Sequence, residues 1–500
     1  MELLNVSNLF SNPLLLSLIP IFSLLIWLKL AKGKHLNLPP SPPKLPIIGN
    51  IHQLGKLPHR SLLDLSRNYG PLMLLNLGYN PTLVVSSVDM VREIVKNHDV
   101  SFSNKPRTTA VDFMFYECKG MGFAPYGDFW RQVKKMSVVE LFSYQRVHSF
   151  QFVRDEEMEL LINKIRSTCG KGESINLSKM LVLVSSNIVS RCILSHRSEE
   201  EDGCSKFGEL IRRLMVLFTG FCIGDLFPYM KWIDVLTGYI PSIKALSAEL
   251  DALLNQVIEE HRAVESRKKD FVSIVMQLQK DGMFEDLTQD NIKAILLDMF
   301  VGGTDTSATT AEWIMAELLR HPNAMKKVQQ EVRNVVGNKS KVDQEDIAKM
   351  DYLKCVVKET LRLHPPVVIV LRKTPASVKL RGFDIPSNTT VMINAWAIHR
   401  DPKWWENPEE FIPERFENSS IDFQGQDFHY IPFGFGRRGC PGMPFGVASV
   451  EYVIANLLCW FDWKLPSGEI AENVDMTELY GLTSSKKTPL HVLPIYHSTF

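Results

Sequence analysis

The stretch Pro432-Phe433-Gly434-Phe435-Gly436-Arg437-Arg438-Gly439-Cys440-Pro441-Gly442 sets one cysteine among glycines and arginines. Just beyond it, Val447, Val450, Val453, Ile454, Leu457 and Leu458 recur at helical spacing, so the segment reads as a loop feeding an apolar helix. Pro441 suits the first turn of that helix, where its missing N–H would lack a partner anyway. This puts Cys440 at the N-cap, where the positive end of the helix dipole favours thiolate over thiol. The glycines let the backbone approach something flat and bulky, nearby N–H groups can tune the sulfur, and Arg438 can reach a carboxylate. Two other readings compete. A lone cysteine before a helix is often a small core residue. The run from Gly434 to Gly439 also spells G-x-G-x-x-G, with Asp462 further on, but that dinucleotide fingerprint needs a buried strand directly before it. Asp427, His429 and Pro432 make a poor strand.

The combined properties suit a cysteine thiolate bound to haem iron. Phe433, Gly436, Arg438, Cys440 and Gly442 also match the pattern Phe-x-x-Gly-x-Arg-x-Cys-x-Gly. Such a match arises by chance in a chain of this length about once in ten thousand, from average residue frequencies. On these residues the chain resembles the cytochromes P450, the haem-thiolate monooxygenases. The resemblance implies a mainly α fold with small β-sheets (α+β) and haem b (iron protoporphyrin IX) as cofactor. It makes Cys440 the metal ligand and places Phe433, Arg438 and Gly442 at the cofactor.

Composition is that of an ordinary globular protein: 500 residues, 45% hydrophobic, 22% charged, formal net charge zero. Balanced charge argues against a general nucleic-acid binder. The eight cysteines (118, 169, 192, 204, 222, 355, 440, 459) form no C-x-x-C pair, so neither a zinc site nor a disulfide framework is indicated. No linker or repeat divides the chain. One large catalytic domain over residues 51–500 is expected, behind an anchor (1–30) and a basic, proline-rich hinge (31–50).

Leu9 to Leu28 is apolar apart from Ser11, Asn12, Ser17 and Ser23, just long enough to span a bilayer. Trp27 sits at one end, and Lys29, Lys32, Lys34 and His35 follow, which puts the C-terminal side in the cytosol. A cleaved signal peptide fits poorly, because the basic residues follow the apolar run. A single-pass anchor in the endoplasmic reticulum membrane is expected, since the resemblance is to microsomal members. The sequons at Asn176, Asn338, Asn388 and Asn418 would then be cytosolic and unused. The prolines of Leu38 to Pro46 make a stiff extended spacer.

Leu72–Leu77 and Thr82–Val85 read as strands joined by a turn at Gly78. Thr108 to Ala124 has no clear period and reads as an aromatic-rich loop; the resemblance makes it the pocket roof. Trp130 and Lys134 share a helix face at i, i+4. By resemblance they hold a haem propionate, with Lys134 where arginine is usual; a basic surface helix is the plainer reading of Arg131 and Lys135. Thr288 can cap a long helix that His321-Pro322 stops near Arg320. Gly302-Gly303 in its middle invites a kink or bulge, with close helix packing as the plain alternative. Asp305-Thr306 beside them resembles the family's oxygen-activation motif, giving both residues a catalytic role.

Glu359-Thr360-Leu361-Arg362 is E-x-x-R, alone a trivial ion pair. With Pro413-Glu414-Arg415-Phe416 downstream, the resemblance implies a Glu359–Arg362–Arg415 network buttressing the haem loop. Val367 to Val370 reads as a strand, followed by Arg372, a propionate binder by resemblance, with Leu371 where proline is usual. Tyr480 to Thr483 forms a turn with an apolar tip. By resemblance Phe113, Phe123, Val301, Gly302, Val367, Ile369 and Leu482 line the substrate pocket.

The expected function is oxidation of a small apolar plant specialised metabolite (terpenoid, phenylpropanoid or alkaloid) by O2 and NADPH-derived electrons. The expected partners are a membrane-bound NADPH-cytochrome P450 reductase, with cytochrome b5 as an optional second donor, and membrane lipid. Two rivals are a haem-thiolate isomerase or dehydratase needing neither O2 nor NADPH, and a non-catalytic haem sensor. The Asp305-Thr306 pair argues against the first, and substrate-dependent consumption of NADPH and O2 would exclude the second.

Overall fold

The computed structural model describes residues 36–497, except 171, 198, 201–202, 264–269, 283–286 and 467–468. The expected membrane anchor lies outside the described residues. From Asn37 onward the proline-rich stretch lies on the body instead of standing off as a spacer. The Leu74 N–H donates to Pro40 O at 2.9 Å, the Asn76 N–H to Asn50 Oδ1 at 2.8 Å, and the Asp384 N–H to Asn37 O at 2.7 Å. An edge strand has free N–H groups, and this stretch satisfies some of them.

α1 (Pro58–Tyr69) leads into the hairpin of β1 (Leu72–Leu77) and β2 (Asn80–Val85), with Leu72 opposite Val85. The expected roof loop opens with a short helix, α2 (Thr109–Met114), because the Thr108 side chain accepts from the Val111 amide and caps it. Next come α3 (Asp128–Met136), α4 (Leu177–Leu194), α5 (Lys206–Phe218), α6 (Tyr239–Ala263) and the long α7 (Gln289–Arg320). α8 (Asp351–Leu363) precedes β3 (Ile369–Lys373) and β4 (Thr390–Asn394). α9 (Met443–Trp460) and the hairpin of β5 (Glu478–Tyr480) with β6 (Ser484–Lys486) follow.

The main sheet runs β1-β2-β4-β3, with β2 parallel to β4 and the other pairs antiparallel. Its strands divide their apolar residues with period two. Leu72, Leu74, Leu83, Val85, Val391 and Ile393 enter one core, while Met73, Leu75, Leu77, Val84 and Ile369 enter another. Each such side chain contributes roughly 1.5–3 kcal/mol on leaving water, so a one-residue slip in register would be costly.

The larger core is helical and centres on α7, against which α4 and α9 pack. Thr288 and Asn291 form a reciprocal capping box at its start, worth about 1 kcal/mol. The helix is unbroken through Gly302 and Gly303, where a kink or bulge was expected. A Cβ on Gly303 would come within 3.1 Å of the Val189 side chain on α4, so close packing accounts for that glycine. A Cβ on Gly302 would meet nothing within 4 Å. α4 and α9 are long and apolar enough to cross a membrane, but each is 61% buried inside the fold, as core helices are.

Candidate active site

Cys440 is not the N-cap the sequence suggests; it lies two residues before the one observed. Gly442 caps α9, and Pro444, not Pro441, lies in its first turn. The loop itself holds the cysteine, whose N–H donates to Phe433 O at 2.9 Å. Gly434 (φ 74°) and Gly436 (φ 61°) adopt left-handed backbone, which glycine takes at no steric cost. A Cβ on Gly436 would also come within 2.6 Å of Asp99 Oδ1. Burial pushes the Cys440 thiol up; the amides of Gly442 and Met443 and the ammonium groups of Lys134 and Lys105 pull the other way. Cys440 is solvent-accessible yet enclosed by protein, which is the signature of a residue lining a cleft.

Four cations gather around this cysteine: Lys105, Lys134, Arg372 and Arg438. Burial and the neighbouring arginines push both lysines down to about 8. Burial pushes Arg372 down to about 10, and burial with repulsion from Arg372 pushes Arg438 down to about 9. None of the four has a carboxylate within 4.0 Å among the described residues. Asp298 and Asp99 act on the cluster only from beyond contact, and enclosed charge without a contacting counter-charge is expensive, so the cluster favours an anionic ligand. A flat haem with two propionates, and a thiolate ligand at its iron, fits that donor set.

Arg438 donates to the carbonyls of Ser103 (2.5 Å), Met121 (3.3 Å) and Ala124, and its guanidinium stacks 4.2 Å over the Trp130 ring. Trp130 Nε1 donates to Met121 O at 3.1 Å, and Lys134 Nζ to Gly439 O at 2.6 Å. Trp130, expected at a propionate, thus has its one N–H committed to the roof segment. Arg372 lies 5.3 Å from the Phe435 ring. Phe433, half-buried, packs 5.5 Å from Phe423. Lys105 was not foreseen, because one lysine before a proline carries no periodic or motif signal. The fold brings it within 5.5 Å of the Phe123 ring centroid.

On α7, Thr306 Oγ1 donates to Gly302 O at 2.7 Å. Asp305 accepts a 2.5 Å hydrogen bond from Thr483 Oγ1, which also lies 3.3 Å from Thr309 Oγ1. Thr483 sits in the β5–β6 turn, and sequence reading had marked only its neighbour Leu482. Behind the cysteine loop, Glu359 and Arg362 are fully buried and paired twice at 2.8 Å. Arg415 Nε reaches the same carboxylate at 2.9 Å. Arg362 also donates to the carbonyls of His399, Pro408 and Glu410, knitting α8 to the segment before the loop.

Of the expected pocket residues, Val301 and Ile369 are buried and Leu482 is half-buried. β3 begins at Ile369, leaving Val367 ahead of it and 38% exposed. Phe113 turns away, its ring lying 5.4 Å from Lys244 Nζ on α6, because α2 rotates it toward that helix. Phe123 instead packs 5.1 Å from Phe115 and 5.9 Å from Phe218 on α5.

The family described as Cytochrome P450 matches residues 39–492. The chain belongs to the cytochrome P450 family. A cytochrome P450 of this kind binds haem b, and the chain is a cytochrome P450 monooxygenase. It is 51% identical to phenylacetaldehyde oxime monooxygenase CYP71AN24 of Prunus mume, covering 93% of this chain and 90% of that relative. It is 50% identical to cytochrome P450 71A1 of Persea americana, over 90% and 91% of the two chains. Desmethylyatein synthase of Sinopodophyllum hexandrum is 47% identical over 93% and 94%. A zebra fish cytochrome P450 solved with abiraterone superposes with a TM-score of 0.74, at 24% identity, over 88% of this chain and all of the other; that likeness concerns the fold.

Proposed function

We propose that this P450 oxidises a small, largely apolar plant specialised metabolite with O2, drawing electrons from a membrane-bound NADPH-cytochrome P450 reductase, with cytochrome b5 as a second donor. The observation that carries this reading is the enclosed, accessible Cys440 ringed by four cations that lack carboxylate partners. Cys440 would hold the iron, and Lys105, Lys134, Arg372 and Arg438 would face the propionates. Haem with a thiolate ligand supplies oxygen activation when bound. The chain's own residues do the rest. Val301 and Ile369 keep water from the cleft. Thr306 can release Gly302 O and donate its hydroxyl hydrogen into the cleft. Asp305, oriented by Thr483, can relay protons from water to it.

The names of the relatives support a specialised-metabolite substrate: one acts on phenylacetaldehyde oxime, and another, 44% identical, is a strychnine-11-hydroxylase. The Asp305 carboxylate and Thr306 hydroxyl side by side on α7 speak against the isomerase or dehydratase reading. Attachment at the endoplasmic reticulum is supported by exposed apolar side chains near the described N-terminal end. Ile47, Tyr79, Tyr229, Trp232 and Leu236 are all exposed. Gly78 N–H bonds Ile48 O, and Tyr79 N–H bonds Leu226 O, joining the hinge to the chain just before Tyr229 and Trp232. Such a patch beside an anchor suits a lipid surface. The test is to load the full chain with haem, screen plant metabolites for spectral shifts, and measure product with reductase and NADPH. A metabolite that shifts the spectrum but is converted without O2 or NADPH would replace this reading with the isomerase one.

A further inference from the structure

Asp298 lies on α7, four residues before Gly302 and seven before Asp305, hence on their face of the helix. No motif marks it. Its carboxylate accepts the Gly122 N–H at 2.8 Å. The fit depends on bare backbone. A Cβ on Gly122 would come within 2.5 Å of Asp298 Oδ1, and one on Gly120 would clash with the other oxygen. The same segment is gripped from the opposite side. Trp130 and Arg438 donate to Met121 O, and Arg438 donates to Ala124 O. Residues 121–124 are therefore strung between α7 and the cysteine loop. The large side chain at the middle of that span is Phe123, whose ring meets Phe115, Phe218 and the Lys105 ammonium.

We infer that Asp298 is a positioning residue for the substrate cleft: by holding the Gly122 amide it fixes where the neighbouring Phe123 stands, and so sets the height of the roof. The inference rests on the proposed function only in taking the cleft beside Cys440 as the substrate site. Burial pushes the Asp298 carboxyl up to about 7, against the pull of the Gly122 amide, Lys105 and Arg438. A carboxyl kept in so unfavourable a place needs bonds that repay its desolvation. Gly302, whose Cβ position is open space, lies one turn further along.

The test uses two azoles that ligate haem iron, with the haem-loaded full chain and spectral titration. Imidazole is too small to reach the roof, whereas 1-phenylimidazole is not. Asp298→Ala and Gly122→Ala should each weaken 1-phenylimidazole about tenfold, as expected for loss of a roof bond, while imidazole stays within about twofold. Asp298→Asn keeps one acceptor oxygen for the Gly122 amide and should recover much of the affinity. An unchanged ratio of the two affinities in both Asp298→Ala and Gly122→Ala overturns the inference. So does equal weakening of both azoles, which would make Asp298 a general support. If Asp298→Ala does not fold, Gly122→Ala and Asp298→Asn still decide. Failure of the haem reading itself would be seen separately, as a wild-type protein with no azole shift at all.

Discussion

Thr483 donates its hydroxyl hydrogen to Asp305 across 2.5 Å, so a turn near the C-terminal end orients a carboxylate in the middle of the longest helix. Leu482 is its immediate neighbour in that turn. The peptide that presents an apolar side chain to the interior therefore also carries the hydroxyl that aims the acid.

Thr306→Ala should leave folding and haem content intact, since alanine is a better helix former. NADPH would be consumed with less product and more peroxide, and Thr306→Ser should restore much of the coupling. Thr483→Val, which strips Asp305 of its donor, should uncouple in the same direction. Product per NADPH settles it: equal values in wild type and Thr306→Ala rule out a proton role for Thr306.

Cys440→Ser replaces a thiolate with a poorly donating hydroxyl. The expected result is loss of the ferrous–CO band that marks thiolate ligation, together with turnover. An unchanged band would place the iron ligand elsewhere.

Glu359→Ala strands Arg362 and weakens the hold on Arg415 in a fully buried site. Leaving one buried charge alone costs about 3–5 kcal/mol, so Glu359→Ala and Arg362→Ala should yield little haem-loaded protein rather than a slow enzyme. A well-folded, fully loaded Arg362→Ala protein would reduce the network to an ordinary bridge.

Glu317 on α7 gives the fold a pH dependence. Burial pushes its carboxyl up, but the pull of His321 and His364 outweighs that and holds it at about 2; His364 Nε2 is hydrogen-bonded at 2.6 Å, and His321 Nδ1, bonded to the Glu317 carbonyl, lies 3.2 Å from the other oxygen. A carboxylate with a depressed pKa adds stability that is full above its unfolded value of about 4.5 and is lost as pH falls toward 2. His321 is raised, chiefly by its bond to Glu317. Its share is full below its unfolded value and fades as pH rises through the folded one. Glu317→Gln should lower the melting midpoint near pH 6, for a loss of about 2 kcal/mol, and should lose less stability than wild type between pH 5 and 3. Parallel wild-type and mutant curves would exclude the linkage.

Deleting residues 1–30 should weaken membrane association and leave the ferrous–CO band intact, with residual binding through the exposed patch around Trp232. Protease protection of the catalytic body inside sealed vesicles would contradict a cytosolic orientation.

The differences between sequence and structure have both local and distant causes. The N-cap was placed at Cys440 because Pro441 looked like the first-turn proline, yet Pro444 serves as well, and only the path of the loop discriminates. The resemblance puts Phe113 at the pocket, but the helix that Thr108 caps turns its ring toward α6. The glycine pair suggested a weak helix, while Val189, far away in sequence, explains Gly303 by packing.

The sequence by itself determined the family, the haem, the capped long helix and the period-two strands, because each depends on residues close along the chain whose spacing carries the physics. Only the tertiary structure decided that Lys105 joins the cationic ring, that Thr483 holds Asp305, and that Asp298 grips Gly122. Those pairs join residues far apart in sequence, and neither a hydrogen bond nor a repulsion between them exists until the packing of α7 against the roof and the C-terminal hairpin brings their atoms within reach.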